Sequence, residues 1–167
     1  MLDNWVEVSL GEVVDTISQK HRFDKKNIIL VNTSDVLSGK VLNHKYVENK
    51  NLKGQFKKSF RKNDILFSEI RPKNKRFAYV DFNSEDYVAS TKLMVLRKKN
   101  EQISSRYLYR FLSSEETINI LQTIAESRSG TFPQITYSEL ARLNILLPPL
   151  EEQKAIAATL SCLDDKI

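Results

Sequence analysis

The sequence predicts an α+β chain: a twisted, mostly antiparallel β-region with flanking helices, followed by a C-terminal helix. Three observations carry this expectation. Over the first hundred or so residues the apolar positions fall in short runs rich in β-branched and aromatic types, bounded by Asn, Asp, Ser and Gly. After Ser104 the apolar period lengthens from two to near 3.6. Near the end, Pro148-Pro149 stops one element and Glu151-Glu152 favour the first turn of another through the helix dipole.

Taken in order, Trp5, Val6, Val8 and Leu10 lead into Gly11-Glu12-Val13-Val14, an apolar start expected to pack against the core as strand or helical turn. A polar loop over 18–27 precedes the buried strand Ile28-Ile29-Leu30-Val31, which Asn32-Thr33-Ser34-Asp35 ends. Ser38-Gly39-Lys40 marks a turn, and the segment 49–63, with Lys50, Lys53, Lys57, Lys58, Arg61, Lys62 and no acidic residue, is expected to be exposed. Segments 64–71 and 76–80 read as two strands joined by the tight basic link Pro72-Lys73-Asn74-Lys75, and 87–96 reads as a third. One helix follows Ser104-Ser105 with the stripe Tyr107, Leu108, Phe111, Leu112, and another carries Ile118, Leu121, Ile124, Ala125. A short helix over 138–143, a short strand over 144–147 and the final helix complete the chain. That helix spaces Ile156, Leu160, Leu163 and Ile167 by four, three and four residues, the pattern of a coiled-coil seam or of a helix docked on its own domain.

At 167 residues and 41% apolar content the chain holds one domain, 1–148, plus an appended helix, 149–167. No apolar run approaches the roughly 20 residues that span a bilayer, and the first ten residues carry no leader pattern, so no membrane partner and a cytoplasmic location are expected. The single cysteine, Cys162, is expected to be a buried, unreactive thiol. His21 and His44 show no metal spacing.

Charge is unevenly spread. Residues 20–110 hold 22 basic against 9 acidic side chains, whereas the remainder holds 4 against 12. A polyanion-facing surface would show this, although solvated lysines would too. Three polar loops combine cations with groups able to meet base edges. Lys73-Asn74-Lys75-Arg76 pairs phosphate-binding cations with an amide suited to adenine. Arg128-Ser129-Gly130-Thr131 with Gln134 offers the same chemistry, or else a helix C-cap. Lys20-His21-Arg22 reads more as surface than as reader. Ser90-Thr91-Lys92 lies at a strand whose alternate side chains face DNA or fill a sheet surface. Phe77, Tyr79, Tyr107 and Phe111 fall at periodic apolar positions and are expected in the core, which argues against RNA stacking platforms.

The block Ser129-Gly130-Thr131-Phe132-Pro133-Gln134-Ile135, then Leu140, then Ile145-Leu146-Leu147-Pro148-Pro149-Leu150-Glu151-Glu152-Gln153-Lys154-Ala155-Ile156-Ala157, resembles the specificity subunits of type I restriction-modification systems. Supporting similarities are Trp5 with Val8-Ser9-Leu10-Gly11, Asp64-Ile65-Leu66-Phe67-Ser68 with Ile70-Arg71-Pro72, and 90–97. The resemblance implies a target-recognition-domain-like fold that binds double-stranded DNA and reads half of a bipartite site. It implies a spacer helix that pairs into an antiparallel coiled coil, and partners that are adenine methyltransferase (modification) subunits and a restriction/translocase subunit. Family members carry two such domains. One domain and about 19 helical residues here, roughly 28 Å at 1.5 Å per residue, fit an excised domain, a truncated product or a half-subunit that forms a homodimer through the C-terminal helix.

No cofactor is expected, and no catalysis. The four glycines are isolated, the Pro-Pro is flanked by leucines, and no P-loop is present. Asp64 and Glu69 imitate a nuclease pair, but residues five apart on a continuous strand point to opposite faces. The rival reading is a protein-interaction module that docks a DNA methyltransferase without reading bases.

Overall fold

The computed structural model describes residues 4–20, 24–50, 52, 54–127 and 133–165. Strands β1 (Val6–Ser9), β2 (Val14–Ile17), β3 (Asn27–Val31), β4 (Val36–Leu37), β5 (Lys40–Val41) and β6 (Tyr46–Glu48) come first. β7 (Phe56–Lys58), β8 (Ile65–Ser68), β9 (Phe77–Tyr79), β10 (Tyr87–Ser90) and β11 (Leu93–Lys98) follow. Helices α1 (Ser105–Ser113), α2 (Glu115–Glu126) and α3 (Tyr137–Ala141) precede β12 (Asn144–Leu147) and α4 (Leu150–Asp165).

A central antiparallel sheet in the order β2-β11-β8-β9 organises the domain. Through residues 65–67, 77–79 and 93–96 it is apolar because both faces are covered there, and the period of two divides the side chains between two cores. Ile65, Phe67, Phe77, Tyr79, Met94 and Leu96 join the core that lies under α1, α2, α3 and β12. Their strand neighbours Leu66, Ala78, Leu93 and Val95 join a second core with Val31, Val36 and Ala89, on the side of a second sheet ordered β6-β3-β10-β7. That sheet contains the one parallel pairing among the described strands, β3 with β10. β1 pairs with β12, and the β4–β5 hairpin leans on β9 through Gly39. Gly39 has φ of 102°, and a Cβ there would fall 2.3 Å from the Tyr109 hydroxyl, so glycine alone fits.

The helices start where serine and threonine allow. Ser104, Ser114 and Thr136 each accept a backbone N–H from the first turn of α1, α2 and α3, and Glu139 closes a capping box on the last.

Three expectations are corrected. The segment 87–96 is two strands in different sheets: Ser90 Oγ accepts the Lys92 N–H at 3.2 Å, and Thr91 donates its N–H to Gln55 O at 2.8 Å, which turns the chain. The lysine-rich segment 49–63 is not all surface, because β7 pairs with β10 and Phe56 and Phe60 are buried. Cys162 is exposed, since α4 docks by another face.

That docking face is Gln153, Ala157 and Ser161, which lie along α1 with Arg110 bonded to Ser161 and Asp164. The sequence-legible seam occupies the neighbouring stripe. Leu160 and Leu163 on it are 39% and 52% exposed, so the domain leaves this stripe open.

Candidate nucleic-acid interface

Strand register brings most of the predicted reading residues to one end of the central sheet. Leu93 opens β11 opposite Ser68, the last residue of β8, and Phe77 opens β9 opposite Phe67. The Thr91-Lys92 turn and the 69–76 link therefore emerge side by side. The segment that follows residue 132 joins them: Arg71 N–H donates to Pro133 O at 3.0 Å, Ile135 N–H to Glu69 O at 2.8 Å, and Gln134 bridges Ile70. Glu69 N–H completes the junction on Lys92 O at 3.1 Å.

The link is rigid. Pro72–Asn74 forms a 3-10 turn between two left-handed residues, Arg71 with φ of 42° and Lys75 with φ of 56°. Each left-handed L-residue costs about 1 kcal/mol or more, so the surroundings must hold them. They do so through Lys73 N–H to the buried Gln122 Oε1 at 3.0 Å, Ser38 N–H to Lys75 O at 2.8 Å, and Asn74 N–H to Arg71 O at 2.8 Å.

The predicted side chains divide by role. Lys73, Asn74, Lys75 and Lys92 are exposed, Thr91 and Gln134 are half-buried, and the Asn74 and Gln134 amides make no side-chain hydrogen bond among the described residues. Arg76 is spoken for: its guanidinium donates to Val36 O at 3.2 Å and Ser34 O at 3.4 Å, bracing the β4 entry. Ser90 is 3% exposed and shapes the turn. Arg128, Ser129, Gly130 and Thr131 lie outside the described residues, as do His21 and Arg22. His44 hydrogen-bonds Tyr87 Oη and Val41 O. Among the described residues no three His, Cys, Asp or Glu side chains gather as a metal site.

Two groups at this end read otherwise from the sequence, Lys58 as part of an exposed basic segment and Glu69 as half of a nuclease-like pair. Lys58 is half-buried beneath it and donates to Leu93 O at 2.9 Å; burial pulls its pKa down, with Glu69 opposing. Burial raises the Glu69 pKa, with Lys58 and Lys92 opposing. Their lysine-rich and strand-like contexts gave no local signal.

The opposite end of the sheet holds the other half of the supposed nuclease pair. Asp64 is 1% exposed, receives Arg97 Nε and a second guanidinium nitrogen at 2.8 and 2.7 Å, and accepts the Arg61 N–H at 2.7 Å. It floors a basic concavity of about 520 Å³ lined by Arg61, Lys62, Arg106 and Lys154. Asp64 and Glu69 thus sit at opposite ends of β8 and share no site.

A family model described as the type I restriction modification DNA specificity domain matches residues 2–167. The chain belongs to this family. It is 42% identical over 167 residues to the type I restriction enzyme HindI specificity subunit of Haemophilus influenzae, covering 99% of this chain and 36% of that protein. The HsdS subunit of Thermoanaerobacter tengcongensis superposes with a TM-score of 0.83 at 27% identity, over 98% of this chain and 43% of the other. A chain from a structural study of complex assembly and conformational transition in the type I R-M system gives 0.78 at 26%, again over 98% and 43%. This specificity domain thus spans well under half the length of the relatives it matches.

The family block at 145–157 has a clear structural use here. Gln153 is fully buried: its Oε1 accepts Ser104 N–H at 2.8 Å, and its Nε2 donates to Gln102 O and Pro148 O at 2.8 and 2.9 Å. Trp5 Nε1 donates to Glu152 at 3.1 Å. These bonds tie the start of α4 to the chain just before α1 and to the N-terminal segment.

Proposed function

We propose that residues 1–148 bind double-stranded DNA as the non-catalytic target-recognition domain of a type I restriction-modification specificity subunit, reading one half of a bipartite site, and that 149–167 begin the spacer helix. The observation that carries this is the convergence of the 69–76 link, the Thr91-Lys92 turn and Gln134 on one sheet end. There Arg71, Lys73, Lys75 and Lys92 stand exposed at the same end as the Asn74 and Gln134 amides, which make no side-chain hydrogen bond among the described residues. Cations grip phosphates and set register, while Asn74, Thr91 and Gln134, with Arg128, Ser129 and Thr131 of the adjoining loop, address base edges. Arg76 and Ser90 position their neighbours. Methylation of adenine, translocation and cleavage belong to modification and restriction subunits bound to the assembled protein in the cytoplasm. No helix among the described residues is long and apolar enough to cross a membrane.

Four phosphate contacts give a log–log salt slope near −3.6, so duplex affinity should fall on the order of 100-fold from 50 to 200 mM salt. The double variant Lys73→Ala, Lys75→Ala should flatten that slope by about two. Arg61→Ala with Lys62→Ala, at the far end, should leave it unchanged. A slope near zero for the parent chain would return the methyltransferase-docking reading.

The open stripe of α4 carries a second expectation. Two copies associate through Leu160 and Leu163, mimicking a paired spacer, because docking on α1 leaves this apolar stripe of the helix uncovered. Sedimentation should show concentration-dependent dimers that Leu160→Asp abolishes. A monomer at every concentration refutes the pairing.

A further inference from the structure

Glu69 is an anomaly on a surface built for phosphate. Its carboxylate feels the charges of Lys58 and Lys92, at a sheet end where Arg71, Lys73 and Lys75 are exposed as well, and there a carboxylate opposes the field that draws the duplex in. Its backbone is the junction of the interface: N–H to Lys92 O, and C=O from Ile135 N–H. The backbone of the residue is thus held from both sides. The carboxylate itself is half-buried, yet it makes no hydrogen bond and no ion pair among the described residues. Lys58 and Lys92 attract it from a distance, but the Lys58 ammonium is engaged by Leu93 O. A partly buried acceptor without a donor is a costly thing to keep unless something supplies the donor.

Within the interface proposed above, water meets the exposed part of this carboxylate in the free chain, and a duplex that displaces that water must supply the donor in its place. Phosphates and sugar oxygens of the duplex backbone offer a carboxylate only acceptors. In the major groove the donors are the exocyclic amines, N4 of cytosine and N6 of adenine. We propose that Glu69 is a specificity-determining residue of this domain, its carboxylate accepting a hydrogen bond from the amino group of a cytosine or adenine in the target. Burial in the free chain has already stripped part of its water, as the upward pull on its pKa records, so less desolvation remains to oppose binding. Bases without an amine at that position leave the carboxylate facing acceptors, and are rejected.

This rests on the DNA-reading function, and the experiment separates the two. The intact chain and its E69A and E69Q variants are each taken through selection from a randomised duplex pool at low salt, followed by competition binding. E69A should lose about 5- to 150-fold discrimination at one base position, the range of a good contact to a base edge, with its salt slope kept. E69Q should move preference at that position toward adenine, which a carboxamide can meet with two hydrogen bonds. A selected duplex carrying purine for adenine, or 2-pyrimidinone for cytosine, should bind the parent chain as weakly as E69A binds the intact duplex. Removing both partners should then cost no more than removing either. If the parent discriminates and E69A discriminates equally at every position, Glu69 reads nothing. A uniform loss across all sequences with lowered thermal stability would make it a brace for the loops, and also overturns the proposal. A parent chain with no preference among duplexes refutes the DNA-reading function itself.

Discussion

Replacing Asp64 by alanine should lower the stability of the domain by about 3 kcal/mol, the lower part of the range for breaking a buried ion pair. Asp64 is 1% exposed and meets both Arg97 nitrogens and the Arg61 N–H, so the substitution leaves a guanidinium without its counter-charge and a backbone donor without its acceptor. The lower part applies because the Arg97 side chain is 23% exposed and regains some water. For a chain of this size the loss corresponds to roughly 6–12 °C in Tm. Asp64→Asn should cost less, since an amide oxygen still accepts from Arg61 or Arg97. Pairing Asp64→Ala with Arg97→Met should recover part of the deficit by removing the stranded charge. Urea denaturation of the four chains measures this. If the double variant is no more stable than Asp64→Ala, the stranded guanidinium is not the source of the loss. The duplex affinity of the folded variants should not change, because Asp64 lies at the end of β8 remote from the loops proposed to read DNA.

How much of this was legible follows from whether a signal was local. Ile28-Ile29-Leu30-Val31 and 64–71 announced strands by apolar runs with turn residues beside them, and Ser104-Ser105 marked the start of a helix, where Ser104 caps the first turn. The separation of Asp64 from Glu69 followed from strand geometry alone. The break at Thr91-Lys92 had no such marker: Ser and Thr suit strands, no Gly or Pro intervenes, and the turn is held by Gln55, thirty-six residues away in sequence. β7 was hidden because Phe56 and Phe60 are spaced by lysines, and its burial depends on pairing with β10. The parallel pairing of β3 with β10 is likewise a property of the assembled sheet. The site divides in the same way. The cations of the 73–76 link could be found by charge, whereas the engagement of Arg76 with Ser34 and Val36 carbonyls depends on tertiary contact. Glu69 was legible as an acid and illegible as a junction, because both of its backbone partners come from distant loops.

Gln153→Leu should cost about 3 kcal/mol while leaving duplex binding intact. Leucine fits the volume but offers no polar atom, so Ser104 N–H and Pro148 O lose their partner in a buried site and Gln102 O loses its partner in a part-buried one. Each such orphan costs about 1–3 kcal/mol, and the three share one locus, so the total falls below their sum. The damage should be local to the α1–α4 junction, and hydrogen exchange should show α4 losing protection while β8 and β11 keep theirs. Gln153→Glu sharpens the test through pH. The glutamate keeps the acceptor for Ser104, but when ionised it places a negative oxygen against the carbonyls of Gln102 and Pro148, so its folded-state pKa must lie above its unfolded value. Protonation restores the missing O–H donor. The variant should therefore be most stable below the unfolded pKa and lose stability as pH rises through the folded one, the reverse of a salt-bridged carboxylate. A Gln153→Glu chain with the same pH profile as its parent would show that the two carbonyls are satisfied from elsewhere. A Gln153→Leu chain whose α4 keeps full protection would mean that Ala157, Ser161 and the Arg110–Asp164 pair hold α4 without the glutamine.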